Sequence, residues 1–361
     1  MTQLAIKSLS KFYGAFKVFD GLDLAADAGE IVVIFGGSGT GKTILLRLIA
    51  GVEEPSSGLI EIEGADVADV APEHRGIGMA FQNFALFPHM SASENIAAPL
   101  RALGQSEELV TAGVAKVAKL LKIDHVLGHA PRELSNGQKQ RTALARALAA
   151  EPAILLLDDP LRNVDAKLRF EMRLELPRLL RQTGATVLYV TQDYKEAMAL
   201  ADRIAVIAGG KFIQTAAPED IYTQPATLGV ARLFGDPSIN TAETILLVEG
   251  DTVCVTLGDV KVAVDRAYKT YAGREVTFGA RPEAVDVMTG RGAGLAATVM
   301  AVTPLNERTV LLLQSDGGWE FLASLPSSSA SIPDPGAKVR TVFAASGTHL
   351  FDRTTGERLH G

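Results

Sequence analysis

From residue 1 to about 235, short apolar and often β-branched runs alternate with longer stretches whose apolar residues recur at spacings of three and four. That alternation predicts an α/β domain built around a largely parallel sheet. Residues 31–35 and 154–157 are unbroken apolar runs, the pattern of strands buried on both faces. The helical spacing is clearest over residues 107–121 and 138–150, so the segment from about 83 to 150 reads as a helical insertion within the α/β core. Past residue 237 the helical spacing ends. Short segments at 245–248, 253–257, 260–264, 276–278, 297–302 and 310–313 lie between Gly, Asp and Pro breaks, which predicts a small all-β, OB-like barrel over 236–361. No apolar run approaches the roughly 18 residues that a membrane-crossing helix needs.

A chain of 361 residues is long enough for two such domains, each with its own core. Its 35 Lys and Arg against 42 Asp and Glu leave a net charge of -7 without a compensating basic cluster, which argues against a nucleic-acid partner. The single cysteine, Cys254, excludes a disulfide framework and a cysteine-based zinc site. It lies in an alternating strand and is expected to be a packing residue. The first residues lack the charged and then apolar run of a signal peptide, so the expected residence is cytoplasmic.

The chemistry begins directly after the first apolar run. Gly36, Gly37, Ser38, Gly39, Thr40, Gly41, Lys42 and Thr43 fit the phosphate-loop pattern G-x-x-x-x-G-K-[ST], with a strand before it and a helix after it. The glycines let backbone N–H groups curl around phosphates, and the helix N-terminus adds partial positive charge. Lys42 supplies a point charge to the phosphates, and the Thr43 hydroxyl is a candidate ligand for Mg2+. A second Mg2+ ligand is expected from a neighbouring strand end, and the apolar run at 154–157 delivers Asp158 there. These two elements alone fit kinases, GTPases and many ATPases.

The segment Leu134-Ser-Asn-Gly-Gln138, followed by Lys-Gln-Arg-Thr-Ala-Leu-Ala-Arg146, narrows the class, because it resembles the signature of ATP-binding-cassette (ABC) ATPases. The resemblance covers roughly residues 4 to 235. It implies that ATP contacts Ser135, Asn136, Gly137 and Gln138 from another subunit, across a head-to-tail dimer. It also implies that Tyr13 stacks on adenine, that Gln82 touches Mg2+ and the attacking water, and that Asn163 and Asp165 lie in the loop crossing the dimer interface. Phe81-Gln-Asn-Phe-Ala-Leu-Phe-Pro-His89, Asp159-Pro-Leu-Arg-Asn-Val-Asp165 and Gly279-Ala-Arg-Pro-Glu283 look like the carbohydrate-uptake importers of maltose and glycerol type. In that family a pair of ATPase subunits, identical or paralogous, sits on the cytoplasmic face of the inner membrane. They work beneath two transmembrane permease subunits fed by an extracytoplasmic solute-binding protein, and the C-terminal β-domain is regulatory. Polyamine and metal-ion importers share this layout.

Four positions depart from the family pattern. Asp159 stands where a glutamate orients the attacking water, and Gln192 where a histidine is expected; these two and Gln82 are the candidate catalytic residues. Arg162 replaces a serine, and Asn136 replaces the first glycine of the signature. These changes read either as tolerated drift in an active enzyme or as a weak ATP site that a competent paralogous partner can support. Two further readings are a soluble ABC protein outside transport and a regulator that binds ATP without hydrolysing it. The chain has none of the zinc modules, long heptads or basic arms usual in the first, and its intact phosphate loop opposes the second.

Overall fold

The computed structural model describes residues 1–258, 260–290, 292–329 and 331–360, and the chain forms two compact units, Met1–Pro218 and Glu219–Gly361. The first opens with a hairpin of β1 (Thr2–Tyr13) and β2 (Phe16–Asp27), turned at Gly14. Next comes β3 (Ile31–Phe35), buried at every residue, which feeds α1 (Lys42–Ala50). β4 (Ser57–Ile62) returns beside β1 and carries the short β5 (Ala65–Asp66), completing an antiparallel sheet of order β2-β1-β4-β5. After β6 (Ile77–Ala80) the chain makes α2 (Ala92–Ala102), α3 (Glu107–Leu120) and α4 (Asn136–Leu148), the expected helical insertion. It then returns through β7 (Ile154–Asp158), α5 (Ala166–Thr183), β8 (Thr186–Thr191), α6 (Tyr194–Leu200), β9 (Arg203–Ala208) and β10 (Lys211–Ala216).

The main sheet has the order β10-β9-β3-β8-β7-β6 and is parallel except for the β9–β10 pair. Phe35 is level with Thr191 and Asp158 with Val190, so this register opens the carboxyl ends of β3, β7 and β8 on one edge. In parallel α/β sheets ligands bind at that edge. Leu45, Leu46 and Ile49 of α1 share one buried cluster with Leu4, Leu9 and Phe19 of the antiparallel sheet and with Val32, Leu156 and Leu188 of the parallel one. Burying each such side chain is worth about 2 kcal/mol. The helix at the end of the phosphate loop is thereby held from two sides.

α7 (Pro218–Thr223), which starts on the last residue of the first unit, and α8 (Leu228–Leu233) precede ten strands among the described residues of the second unit. These are β11 (Asn240–Glu249), β12 (Thr252–Leu257), β13 (Val260–Ala263), β14 (Glu275–Ala280), β15 (Val285–Thr289), β16 (Leu295–Pro304), β17 (Arg308–Ser315), β18 (Glu320–Pro326), β19 (Lys338–Phe343) and β20 (Thr348–Asp352). They form two antiparallel five-stranded sheets, β13-β12-β11-β14-β20 and β15-β19-β16-β17-β18, around a shared core that includes Leu246, Phe278, Leu311, Phe321 and Phe343. This is the expected all-β domain, and Cys254 is buried in it on β12. The division between units falls at Pro218, ahead of the expected boundary at 235. The reason is that α7 and α8 are bonded to the β-domain: buried Arg281 donates to the carbonyls of Tyr222 and Ala231, each at 2.9 Å, and to that of Phe234. Among the described residues no helix is long and apolar enough to cross a membrane.

Candidate active site

The phosphate loop leaves β3 at Phe35 and enters α1 at Lys42. Gly41 caps the helix with φ 90 and makes no side-chain bond to it, so no side chain competes for the first-turn N–H groups. Only glycine fits there: a Cβ would lie 2.7 Å from the Phe19 ring and from Val18. The Lys42 side chain is buried, and its ammonium donates to the carbonyls of Gly36 (2.8 Å) and Gly37 (2.6 Å). Burial lowers its pKa, opposed by the nearby carboxylates of Asp159 and Asp158.

Opposite the loop, β7 ends on Asp158, whose Oδ1 accepts a 3.0 Å hydrogen bond from the Thr43 hydroxyl. Burial raises the Asp158 pKa, and that hydrogen bond opposes the rise. Asp159 turns out of the strand in the left-handed region, at φ 44, and its N–H donates to the Val190 carbonyl at 2.9 Å. Burial pushes its carboxyl up to about 6, against the pull of the Arg162 guanidinium 3.7 Å away. These groups line a cleft of about 330 Å³ together with Ser38, Gly39, Gly41, Gln82 and Gln192. No histidine is among the described residues lining it.

Tyr13 stands on the far wall, half exposed, with its hydroxyl bonded to Glu53 and Lys11 Nζ 4.9 Å from the ring centroid. Phe16 and Val18 line the same wall. Phe16 was not foreseen, although Tyr13 and Phe16 are cross-strand partners beside the Gly14 turn, and a hairpin register would have paired them.

The Gln82 segment is tied down from two directions. Asn163 Nδ2 donates to the Gln82 carbonyl at 2.8 Å. Arg146 of α4 donates to the carbonyls of Ala85 (2.7 Å) and Phe84 (3.3 Å), and its guanidinium lies 5.5 Å from the centre of the Phe87 ring. Buried Asn95 of α2 accepts from the Phe87 N–H at 2.8 Å and donates to the carbonyls of Met90 and Ser91 at 3.1 and 3.0 Å. Glu196, also buried, accepts from the hydroxyls of Tyr189 (2.8 Å) and Thr191 (2.9 Å), fixing the end of β8 from which Gln192 emerges. Neither Asn95 nor Glu196 was marked by the sequence pattern.

Ser135, Asn136, Gly137 and Gln138 do not line this cleft. Ser135 caps α4 in a reciprocal box with Gln138, at 3.3 and 2.9 Å. A Cβ on Gly137 would overlap a terminal methyl of Leu168 on α5, which would have to swing aside.

Residues 19–162 match the family described as ABC transporter, and residues 278–351 match the TOBE domain family. The chain is 37% identical to the sulfoquinovosyl glycerol transport ATP-binding protein SmoE of Agrobacterium fabrum, over 100% of both proteins. It is 38% identical to the sn-glycerol-3-phosphate import ATP-binding protein UgpC of Escherichia coli strain K12, over 99% of this chain and 100% of that one. Among solved structures it is similar to the dimeric post-hydrolysis state of the ATP-binding cassette MJ0796 bound to ADP and Pi. That match has a TM-score of 0.54 and 30% identity, and it covers 60% of this chain and 98% of the other.

Proposed function

The chain belongs to the ATP-binding subunits of ABC importers, and from that premise we propose that it binds and hydrolyses ATP to drive uptake of a sugar, a polyol or a polyol phosphate through membrane permeases. The observation that carries this reading is the single cleft into which β3, β7 and β8 deliver Lys42, Thr43, Asp158, Asp159 and Gln192. Phosphates lie along the loop N–H groups and Lys42, and adenine lies against Tyr13 and Phe16. Thr43 and Asp158, already hydrogen-bonded to each other, suit Mg2+, which takes few protein ligands and completes its shell with phosphate and water. When bound, the ion supplies charge neutralisation at the phosphates. Asp159 and Gln82 hold the attacking water, and Gln192 offers an amide donor to the terminal phosphate.

Since Ser135 to Gln138 lie outside the chain's own cleft, they serve the partner's nucleotide in a head-to-tail dimer with a second copy or a paralogue. The dimer sits at the cytoplasmic face of the inner membrane under two permeases, and an extracytoplasmic solute-binding protein delivers the solute. The shortened Asp159 and uncharged Gln192 favour slow hydrolysis at this site. Equilibrium nucleotide titration of the purified chain tests the core of the reading: Lys42→Ala should abolish measurable ATP binding, and unchanged affinity would overturn it.

A further inference from the structure

One cation of the cleft has no task in the ATP site as assigned. Arg162 lies just after the paired carboxylates, and its backbone is clamped. Its N–H donates to the Asp159 carbonyl at 3.2 Å, and Arg169 of α5 donates to the carbonyls of Leu161, Arg162 and Val164, each at 3.2 Å. The guanidinium is different. It is about half exposed (49%), and the nearest carboxylate oxygen, Oδ2 of Asp159, is 3.7 Å away, beyond hydrogen-bond reach. An arginine paired with a carboxylate closes to hydrogen-bond distance, frequently with two bonds. In this same chain Arg101 does so with Glu107, at 2.8 and 2.9 Å.

Arg162 borders both the nucleotide cleft and a neighbouring cavity of about 470 Å³ that shares Asp159 and Gln192, so the guanidinium stands where the two meet. Among the described residues the only other cation lining the nucleotide cleft is Lys42, whose ammonium is engaged by two loop carbonyls. Two carboxylates, Asp158 and Asp159, face them. A polyphosphate entering this cleft meets balanced fixed charge, and of its two cations the one whose donors are not held by loop carbonyls is Arg162, whose planar fork matches phosphate oxygens.

We propose that Arg162 is a ligand of the terminal phosphate of ATP, leaving Asp159 for that phosphate when the triphosphate is bound and returning to Asp159 when only the diphosphate remains. The proposal rests on the ATP-site reading and adds to it a residue that distinguishes ATP from ADP. It also makes the Asp159 carboxylate free of its cation only while the terminal phosphate is present.

The test is equilibrium binding of a non-hydrolysable ATP analogue and of ADP, both with Mg2+, to the full chain and its variants. Arg162→Ala should weaken the triphosphate about ten- to a hundredfold, the range of a lost charge-assisted hydrogen bond, and change ADP less than about threefold. Arg162→Lys, which keeps charge without the fork, should fall between. Asp159→Asn, which removes the competing carboxylate, should tighten the triphosphate severalfold and leave ADP unmoved. Equal losses for the two nucleotides, or no loss for either, would overturn the proposal. If the unmodified chain bound neither nucleotide, the ATP-site reading itself would fail, so the two failures are separable.

Discussion

Replacing Asp159 by glutamate and Gln192 by histidine in one chain separates holding the nucleotide from hydrolysing it. The two residues leave the sheet at the ends of adjacent strands, and neither belongs to the phosphate loop. Burial pushes the Asp159 carboxyl up to about 6 while the Arg162 guanidinium pulls it down, so protonation and reach both bear on how it handles water. One methylene leaves the carboxylate about an ångström short, a misplacement that can cost on the order of a hundredfold in rate. The structure also sets a cost for correcting it. At φ 44 an aspartate is tolerated better than a glutamate, so Asp159→Glu should lower stability by about 1 kcal/mol while raising kcat. Gln192→His adds a group that can carry charge, and the double variant should exceed the product of the single gains because both act on one step. Phosphate release at saturating Mg-ATP, measured on the chain assembled with its permeases, gives kcat, and equilibrium titration gives the affinity, expected to move less than about threefold. An unmutated chain that already turned over as fast as the double variant would refute the degenerate-site reasoning.

Tyr13→Ala should weaken ATP about tenfold by removing an aromatic face for the base, read by the same titration, and no change would return Tyr13 to a purely structural part. Asn95→Ala should cost about 3 kcal/mol in urea unfolding, because the Phe87 N–H and the Met90 and Ser91 carbonyls lose their side-chain partner together. His349 gives a pH dependence: burial, with Arg358 and Arg281 nearby, lowers its pKa from 6.5 to about 4, so it is neutral when folded. Between those values the unfolded chain takes up a proton that the folded chain refuses, so stability falls as pH drops from 6.5 towards 4, by about 3 kcal/mol in all. In denaturant titrations across that range His349→Gln should flatten the slope.

The buried strands were legible because burial on both faces removes any alternation, leaving 31–35 and 154–157 as plain apolar runs; the observed β7 adds only Asp158. The separate antiparallel sheet was not foreseen. β1 and β2 shift register between Thr2 and Leu4, Ile6 and Leu9, Leu9 and Lys11, and Lys11 and Phe12, and each shift interrupts the period of two. α4 starts at Asn136 behind its Ser135 cap, two residues before the apolar spacing begins at 138, since its first residues are polar and carry no periodic signal. Of the later strands, β15, β18, β19 and β20 went unread; β15 reads Val285-Asp-Val-Met-Thr289, too short and mixed to stand out. At the site, Lys42, Thr43 and Asp158 were read from motif spacing, Gln82, Asp159 and Gln192 from the family resemblance, and all six line one cleft. The Arg162 contact, the Glu196 anchor and the Asn95 staple depend on tertiary neighbours that spacing along the chain does not specify.

The supports around the cleft also decide where a change at the nucleotide travels. Gln82 is the lining residue that belongs to neither the phosphate loop nor the ends of β7 and β8 and leads into a segment bonded to the helical insertion. If nucleotide draws Gln82 inward, its carbonyl pulls on Asn163, but the loop carrying Asn163 is held by three Arg169 bonds and by the Arg162 N–H. The other direction is softer. Phe84 and Ala85 already occupy the left-handed region, at φ 63 and 49, and backbone held there is where a small displacement can be taken up. Beyond them Arg146 and Asn95 bond the segment to α4 and α2. The hydrogen-bonded path from the cleft to the helical insertion thus runs through residues 82–91.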